Sequence, residues 1–395
     1  MKHSAAVLML LAMPAFAGWQ FSPAVEVGAA GDKTVFHHLE SANRKGLGES
    51  GGRLALAWED NRAGEPRCWL AVREKGAATF SAPQALSAGE CYEPVVQGMG
   101  KGRFVAAWEA DGAVWARVDG KGQALRLSGA EAAHITLARA DERTLYAAWA
   151  ERAGEYKRIM LARLAFDAGG LKLEYGVPLE AQMPEDDQAY PAVAVSADGG
   201  VTVAWEDRRK KHTMILAAHS TDGRKFAAPY RLIDMPQVRT MNLGAGMGSM
   251  RPTLARCGPR CLAAAWLDKR DFLSGYDVFA AFSDDGGRSF GRNVRVQDSF
   301  GDNMAQWHAT VAANENGRMV AAWDDERDGT ADVWLSNWNG REFGDDFAAP
   351  DASGPGTQSD PLLHVDAAGT LHVAWLERTE DGGTRLKYAS ATWRE

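Results

Sequence analysis

A chain of 395 residues with 52 acidic against 44 basic side chains has a formal charge of -8, which repels phosphate backbones and argues against nucleic acid as a partner. The length exceeds one ordinary hydrophobic core, so it calls for two or three domains or for repeats that build one larger body.

The chain opens with "MKHSAAVLMLLAMPAFAGWQ": a basic start at Lys2, an apolar run from Ala5 to Met13 and the small-residue site Ala15-Phe16-Ala17. Residues 1–17 therefore read as a secretory signal peptide cut before Gly18. The apolar run is shorter than the ~20 residues a membrane anchor needs, and no later segment is apolar enough to span a bilayer. The expected destination is the periplasm or the cell exterior. There, four cysteines read as two disulfides. Cys257 and Cys261 flank "GPR" at a hairpin tip, which leaves Cys68 to pair with Cys91; a four-thiolate zinc site is the alternative. No cofactor is expected.

Seven segments share a strand ending in Trp: "LALAWEDNR", "FVAAWEADG", "LYAAWAERA", "VTVAWEDRR", "LAAAWLDKR", "MVAAWDDER" and "LHVAWLERT". Their tryptophans, Trp58, Trp108, Trp149, Trp205, Trp266, Trp323 and Trp375, stand 41 to 61 residues apart, the period of propeller blades. Segments such as "PVVQGMG" and "PTLARCGP" begin fourteen residues before their Trp and fit an inner strand. Segments such as "DVFAAFS" and "PYRLID" supply a third and a fourth strand. The last repeat stops at a third strand, and "WQFSPAVEVG" near the N-terminus resembles the fourth strand "ATFSAPQALS" of the first repeat. The expected fold is an all-β, seven-bladed β-propeller of four-stranded antiparallel blades, closed by the N-terminal strand. Residues 18–395 are expected to form one domain, and the protein to be a monomer.

"SDDGGRSF", residues 283–290, lies between the third and fourth strands of blade five and reads as a hairpin turn. "STDGRKF", residues 220–226, holds the same place in blade four with one residue fewer. The pattern Ser283-x-Asp285-x-Gly287-x-Ser289-Phe290 resembles the Asp box of the sialidase-like, or BNR-repeat, propellers. That resemblance implies a β-propeller whose boxes lie opposite the ligand face; it does not by itself imply sialidase activity.

The upper face, where the loops from second to third strands emerge, holds the candidate residues. Fifteen residues before each Trp stand Asn43, Glu93, His134, Tyr190, Arg251, His308 and Asp360, with Arg44 beside the first. This column is polar and different in every blade, as a ring of ligand contacts would be, although a solvated channel mouth would look alike. Tyr92 and Trp307 could stack on a sugar ring. Three residues upstream, Glu40, Glu90, Glu131 and Asp187 could bind a cation or pair with nearby arginines. After the Trp, Asp60–Arg62, Asp207–Arg209, Asp268–Arg270 and Asp325–Arg327 recur and read as loop-fixing ion pairs. Met235, Met241, Met247 and Met250 in the link from blade four to blade five could hold soft copper, or serve as adaptable apolar contacts. His37 and His38 form an upper-face pair, more in keeping with a loop contact than with a ligand.

On the resemblance, a sialidase needs three arginines on a substrate carboxylate, a Tyr with a Glu as nucleophile, and an Asp as acid/base. Tyr190, Glu93 and Asp360 supply the catalytic types, and Arg44, Arg251 and Arg62 or Arg270 the cations. The order departs from the family: no Arg-Ile-Pro stands near the first blade, and Tyr190 lies in blade four rather than late in the chain. The sequence is therefore read as an exported propeller that binds an anionic carbohydrate or a protein partner through Arg44, Arg251, His134, His308, Trp307 and Tyr92. A sialidase-like glycoside hydrolase is the alternative.

Overall fold

The computed structural model describes residues 18–29, 37–167, 170–210, 212–234, 248–270, 275–298, 304–380 and 382–394. The expected signal peptide and Met235, Met241 and Met247 lie outside these residues. Seven antiparallel sheets follow one another along the chain and form the expected propeller.

The second strand of each blade carries the tryptophan: Arg53–Asp60, Arg103–Ala110, Thr144–Ala153, Val201–Asp207, Leu262–Asp268, Met319–Asp325 and Leu371–Arg378. These strands are buried on both faces because each blade is flanked by two others. Alternation along the strand separates the two neighbours. In blade four, Val201, Val203 and Trp205 pack on Ala148, Ala150, Ile159 and Leu161 of blade three. Ala204 faces the other way, against Trp266 of blade five. The alanine-rich strands thus supply the shallow surface on which the next indole lies. One apolar cluster of this kind sits at each blade boundary, including the boundary between blades seven and one, where Trp58 packs on Leu362, Ala374, Leu386 and Tyr388.

Most indoles donate their N–H to the acid two residues on. Trp58 Nε1 reaches Asp60 Oδ2 at 2.7 Å, and Trp205, Trp266 and Trp323 reach Asp207, Asp268 and Asp325 at 3.1, 2.9 and 3.0 Å. The same carboxylates accept the backbone N–H and guanidinium of Arg62, Arg209, Arg270 and Arg327. The recurring Asp–Arg pairs therefore tie each loop to its blade core, as their repetition suggests.

Closure joins the chain's two ends. Gly18–Phe21 pairs with the last strand, Thr384–Arg394, from Gly18 against Arg394 to Phe21 against Ala391, and Val25–Glu26 extends the same edge. Trp19 and Trp393 meet edge to face at 5.4 Å. Cys68 bonds Cys91, linking blade one to the start of blade two, and Cys257 bonds Cys261 across a hairpin. All four cysteines are thereby paired, an arrangement compatible with export. No helix among the described residues is long and apolar enough to cross a membrane.

The stretch 283–290 is a turn. Asp285 Oδ1 accepts the Arg288 and Ser289 amides at 2.9 and 3.0 Å, and Ser283 Oγ accepts the Gly287 amide at 2.8 Å. Gly287 has φ +91°, and a Cβ there would lie 1.9 Å from Thr202 Oγ1, so only glycine fits.

A chain starting at residue 27 should be less stable than one starting at Gly18 by roughly 3–5 kcal/mol, because it loses a strand and exposes an edge. Thermal and urea melts of the two proteins check this. Coincident melts would show that the N-terminal strand does not hold the ring.

Candidate functional site

The candidate site grows from one backbone device. Opposite each Trp the innermost strand carries a bulge: Glu93 and Pro94 stand between the Tyr92–Glu109 and Val95–Ala107 pairs and so face Trp108 alone. The same register shift falls opposite Trp149, Trp205, Trp266, Trp323 and Trp375. The first bulge residue is left-handed in every case, with φ between 46° and 61° for Glu93, His134, Tyr190, Arg251, His308 and Asp360. The bulge turns that side chain toward the ring axis. In blade one the bulge is enlarged into residues 39–46, between the pairs His38–Glu59 and Leu47–Leu56. This loop enters the channel as the 3-10 turn Ala42–Arg44, with Asn43 at φ 58°.

The turn is a plug. Asn43 Oδ1 accepts the Leu254 amide of blade five at 2.8 Å, and its Nδ2 donates to the Val193 carbonyl of blade four. Arg44 donates to the Pro361 carbonyl at 3.1 Å and to Asp360 Oδ1 at 3.3 Å in blade seven. Above it, among the described residues, lies a cavity of about 230 Å³ lined by Glu40, Arg44, Tyr190, Met250, Arg251, Trp307 and His308 among others. That is below the ~300–1,000 Å³ usual for a small-molecule pocket and suits a group about one sugar ring in size.

The ring side chains interlock. Arg251 lies over the Tyr190 ring at 3.3 Å, and Tyr190 stacks on His134 with centroids 3.7 Å apart. Arg251 also pairs with Glu40 at 2.5 Å and with Glu206 at 3.4 Å. His308 Nδ1 meets Asp324 Oδ1 at 2.7 Å and its Nε2 lies 3.8 Å from Asp360. The acids that directly follow Trp58, Trp108, Trp205 and Trp323 brace the next blade's bulge. Glu59, Glu109, Glu206 and Asp324 accept the backbone N–H of Glu93, His134, Arg251 and Asp360.

Burial and crowding set the protonation states. Burial first, then the carboxylates of Glu109 and Glu40, push the Glu93 carboxyl well above its ordinary range, and its buried Oε2 has no hydrogen-bond partner. Burial lifts Glu59 and Glu109 to about 7, against the amides they accept. Burial, then Arg251 and Lys157, drop His134 to about 3, so its ring is neutral. Burial opposes charge on His308, but Asp360 and Asp324 outweigh it and the net shift is upward.

Of the residues singled out in the sequence, Arg44, Tyr190, Arg251, Trp307 and His308 line the cavity, and Glu93, His134 and Asp360 stand directly around it. Asn43 also borders the cavity, but its side-chain amide is engaged in the plug. Tyr92 is 40% exposed, bonded to Glu90 at 3.0 Å, and absent from the cavity wall. Glu40 and Glu131 pair with Arg251 and Arg152, and Asp187 accepts the Lys157 amide, so that acidic column is taken up in pairing. Arg62 and Arg270 stay in their loop pairs and do not join Arg44 and Arg251. His37 and His38 pair with Asp60 and Glu59 through the backbone. The bracing acids were overlooked, though the "WE" and "WD" pairs in four repeats were their signal.

No protein family and no curated protein matches the chain in sequence. Solved structures share its fold. A Dyadobacter fermentans protein of unknown function is 13% identical, with 97% of this chain and 100% of that one covered and a TM-score of 0.57. The polysaccharide lyase Uly1 is 10% identical over 89% and 90% of the two chains, at a TM-score of 0.55. The α-L-arabinofuranosidase Arb93a of Fusarium graminearum, solved with an iminosugar inhibitor, is 11% identical over 94% and 98%, at 0.50. At such identities the likeness is one of fold, and membership of the sialidase-like family does not follow from it.

The raised acids make stability depend on pH. Unfolded, Glu59 and Glu109 lose their protons near 4.5; folded, they do so near 7, so the native state binds more protons in between. Their contribution is complete below pH 4.5 and is lost as pH rises through 7. Urea melts should show stability falling from pH 5 to pH 8, and Glu59→Gln should remove about 1–3 kcal/mol of that fall. An unchanged slope in the variant would place the titration elsewhere.

Proposed function

We propose that the protein binds the end of a glycan in the upper cavity, one sugar ring deep. One observation carries this reading. A left-handed bulge position favours Gly, Asn, Asp and His, and other residues there, bulky ones above all, cost about 1–2 kcal/mol. Six of the seven positions hold Glu, His, Tyr, Arg, His and Asp. The shared backbone explains the bulge; it does not explain Glu93, Tyr190 and Arg251 at strained positions, which are kept for what they reach. Trp307, 41% exposed at the rim, offers a face for a sugar ring. Arg251 and His308 can donate to hydroxyls, and Glu40 and Asp360 can accept from them. The carbohydrate enzymes that share the fold support a glycan over a protein partner.

The charge balance refines the ligand. Arg44 already faces Asp360, and Arg251 faces Glu40 and Glu206. The ring therefore offers matched donors and acceptors rather than a free cationic clamp. This favours an uncharged, hydroxyl-rich sugar over the acidic one that the arginines suggest in the sequence.

A second reading, cleavage of the glycosidic bond, is favoured by Glu93, whose carboxyl burial pushes toward the protonated form and whose Oε2 has no partner. Such a group is a general acid in waiting, with Asp360 as the second carboxylate. The sialidase form of this chemistry lacks support, since Arg62 and Arg270 do not converge with the other two guanidiniums.

A glycan array should give binding to neutral sugar ends. Trp307→Ala should weaken that binding about tenfold, the equivalent of ~1.4 kcal/mol, with its melting temperature unchanged. Absence of any neutral-glycan binding, or full binding by the variant, would discard this reading. If the parent also turns substrate over, Glu93→Gln should cut kcat about 10²–10⁴-fold while leaving binding in place. No turnover on the glycans that bind would remove the cleavage reading and leave the binding one.

A further inference from the structure

The channel continues beneath the plug. A second cavity, of about 490 Å³, opens on the opposite face among the innermost strands of the ring, where Ala138, Ala194, Ala255 and Ala313 present only small side chains. The plug separates the two: Arg44 lines the cavity above and Lys45, the next residue, the cavity below.

The lower wall carries one more cation than carboxylates in a net acidic protein. Lys45, Arg139 and Arg256 line it as cations beside the carboxylates of Glu49 and Glu315, and His364 lines it as a neutral ring. The basic groups lie close enough to repel one another. Arg139 acts on Arg256, after burial, to lower its affinity for a proton. Burial, then His372, Lys45 and Arg139, hold His364 down to about 3. The acids nearby bond groups other than Lys45 and Arg139. Glu315 pairs with Arg256, Glu49 accepts the Gly52 amide at 2.5 Å, and Asp366 lies 3.6 Å from His372. Among the described residues, neither the Lys45 ammonium nor the Arg139 guanidinium has a carboxylate partner. A confined space with two cations outside any ion pair is unfavourable when empty of anions and favourable once one enters.

We propose that the lower cavity binds a small multivalent oxyanion of the phosphate type, with Lys45 above it as a point charge and Arg139 at the rim as a two-pronged donor. The anion can be a free ion or a phosphate carried on a small organic molecule, for which the volume leaves room. This site is independent of the glycan reading, because the plug lies between the two cavities.

Calorimetric titration of the whole exported protein at low salt, with inorganic phosphate and separately with glycerol 3-phosphate, tests the proposal. At least one should bind at one site per chain with Kd below about 1 mM, weakening as salt is added. Tighter binding of inorganic phosphate marks a free ion as the ligand, and tighter binding of glycerol 3-phosphate a phosphorylated molecule. Arg139→Gln, a change at an exposed side chain, should weaken binding about tenfold or more, and Lys45→Met should do the same. Neither should alter glycan binding at the upper cavity. Failure of both phosphates to bind the parent, or undiminished binding by Arg139→Gln, would overturn the proposal whatever the fate of Lys45→Met.

Discussion

Each tryptophan lies across a blade boundary on the alanines of the blade before it, and this contact organises the rest of the molecule. Trp205 is buried against Ala148 and Ala150 while its indole N–H is held by Asp207. The same Asp207 holds Arg209 and with it the loop that leads to the third strand. On the strand's other edge, Trp205 stands alone opposite two residues, and that mismatch is the bulge that aims Tyr190 at the axis. One side chain thereby seals the core, anchors a loop and orients a site residue. A large apolar surface leaving water drives the first effect, and the hydrogen bond removes the cost of burying a polar indole.

Because the module repeats, its variation is informative. The backbone at the bulge is the same in blade after blade, while the side chain it presents changes. Architecture accounts for what is shared, and function is left to account for what differs. The same reasoning separates the two mouths of the channel. The upper one balances cations against carboxylates within hydrogen-bonding distance, whereas in the lower one Lys45 and Arg139 form no ion pair among the described residues.

Much of the fold is legible in the sequence. The Trp period sets the number of blades, the missing last strand points to closure by the N-terminal one, and counting fifteen residues back from each Trp finds the ring. These are local signals repeated seven times, so regular spacing carries them. What is not repeated is not legible. The loop 39–46 occurs once, and only its insertion into the channel shows that Asn43 bonds Leu254 and Val193 rather than a ligand. The pairing of Arg44 with Asp360 joins residues 316 apart, and that of Arg251 with Glu40 crosses from blade five to blade one. Residue types alone therefore suggest free cations where the fold supplies their counter-ions. The exposed side chain of Tyr92 shows the same limit, since one residue's shift along a bulged strand decides whether it faces the axis or the solvent.

Ring closure also governs the order in which the molecule can be made. Ser22 and Ser390 touch although 368 residues separate them, so the earlier segment finds its partner only after the whole ring between them has been made. Until then the early blades can assemble in sequence through contacts between neighbours, while the first strand stays without a sheet and the last blade without its outer edge. Closing so long a loop adds only a slowly growing entropic cost, but it comes late and all at once, as for any topology dominated by one distant pairing. Closure of the ring is then a docking event between these two distant segments. In that interval the unpaired edge of the last blade is the surface most open to pairing with another chain.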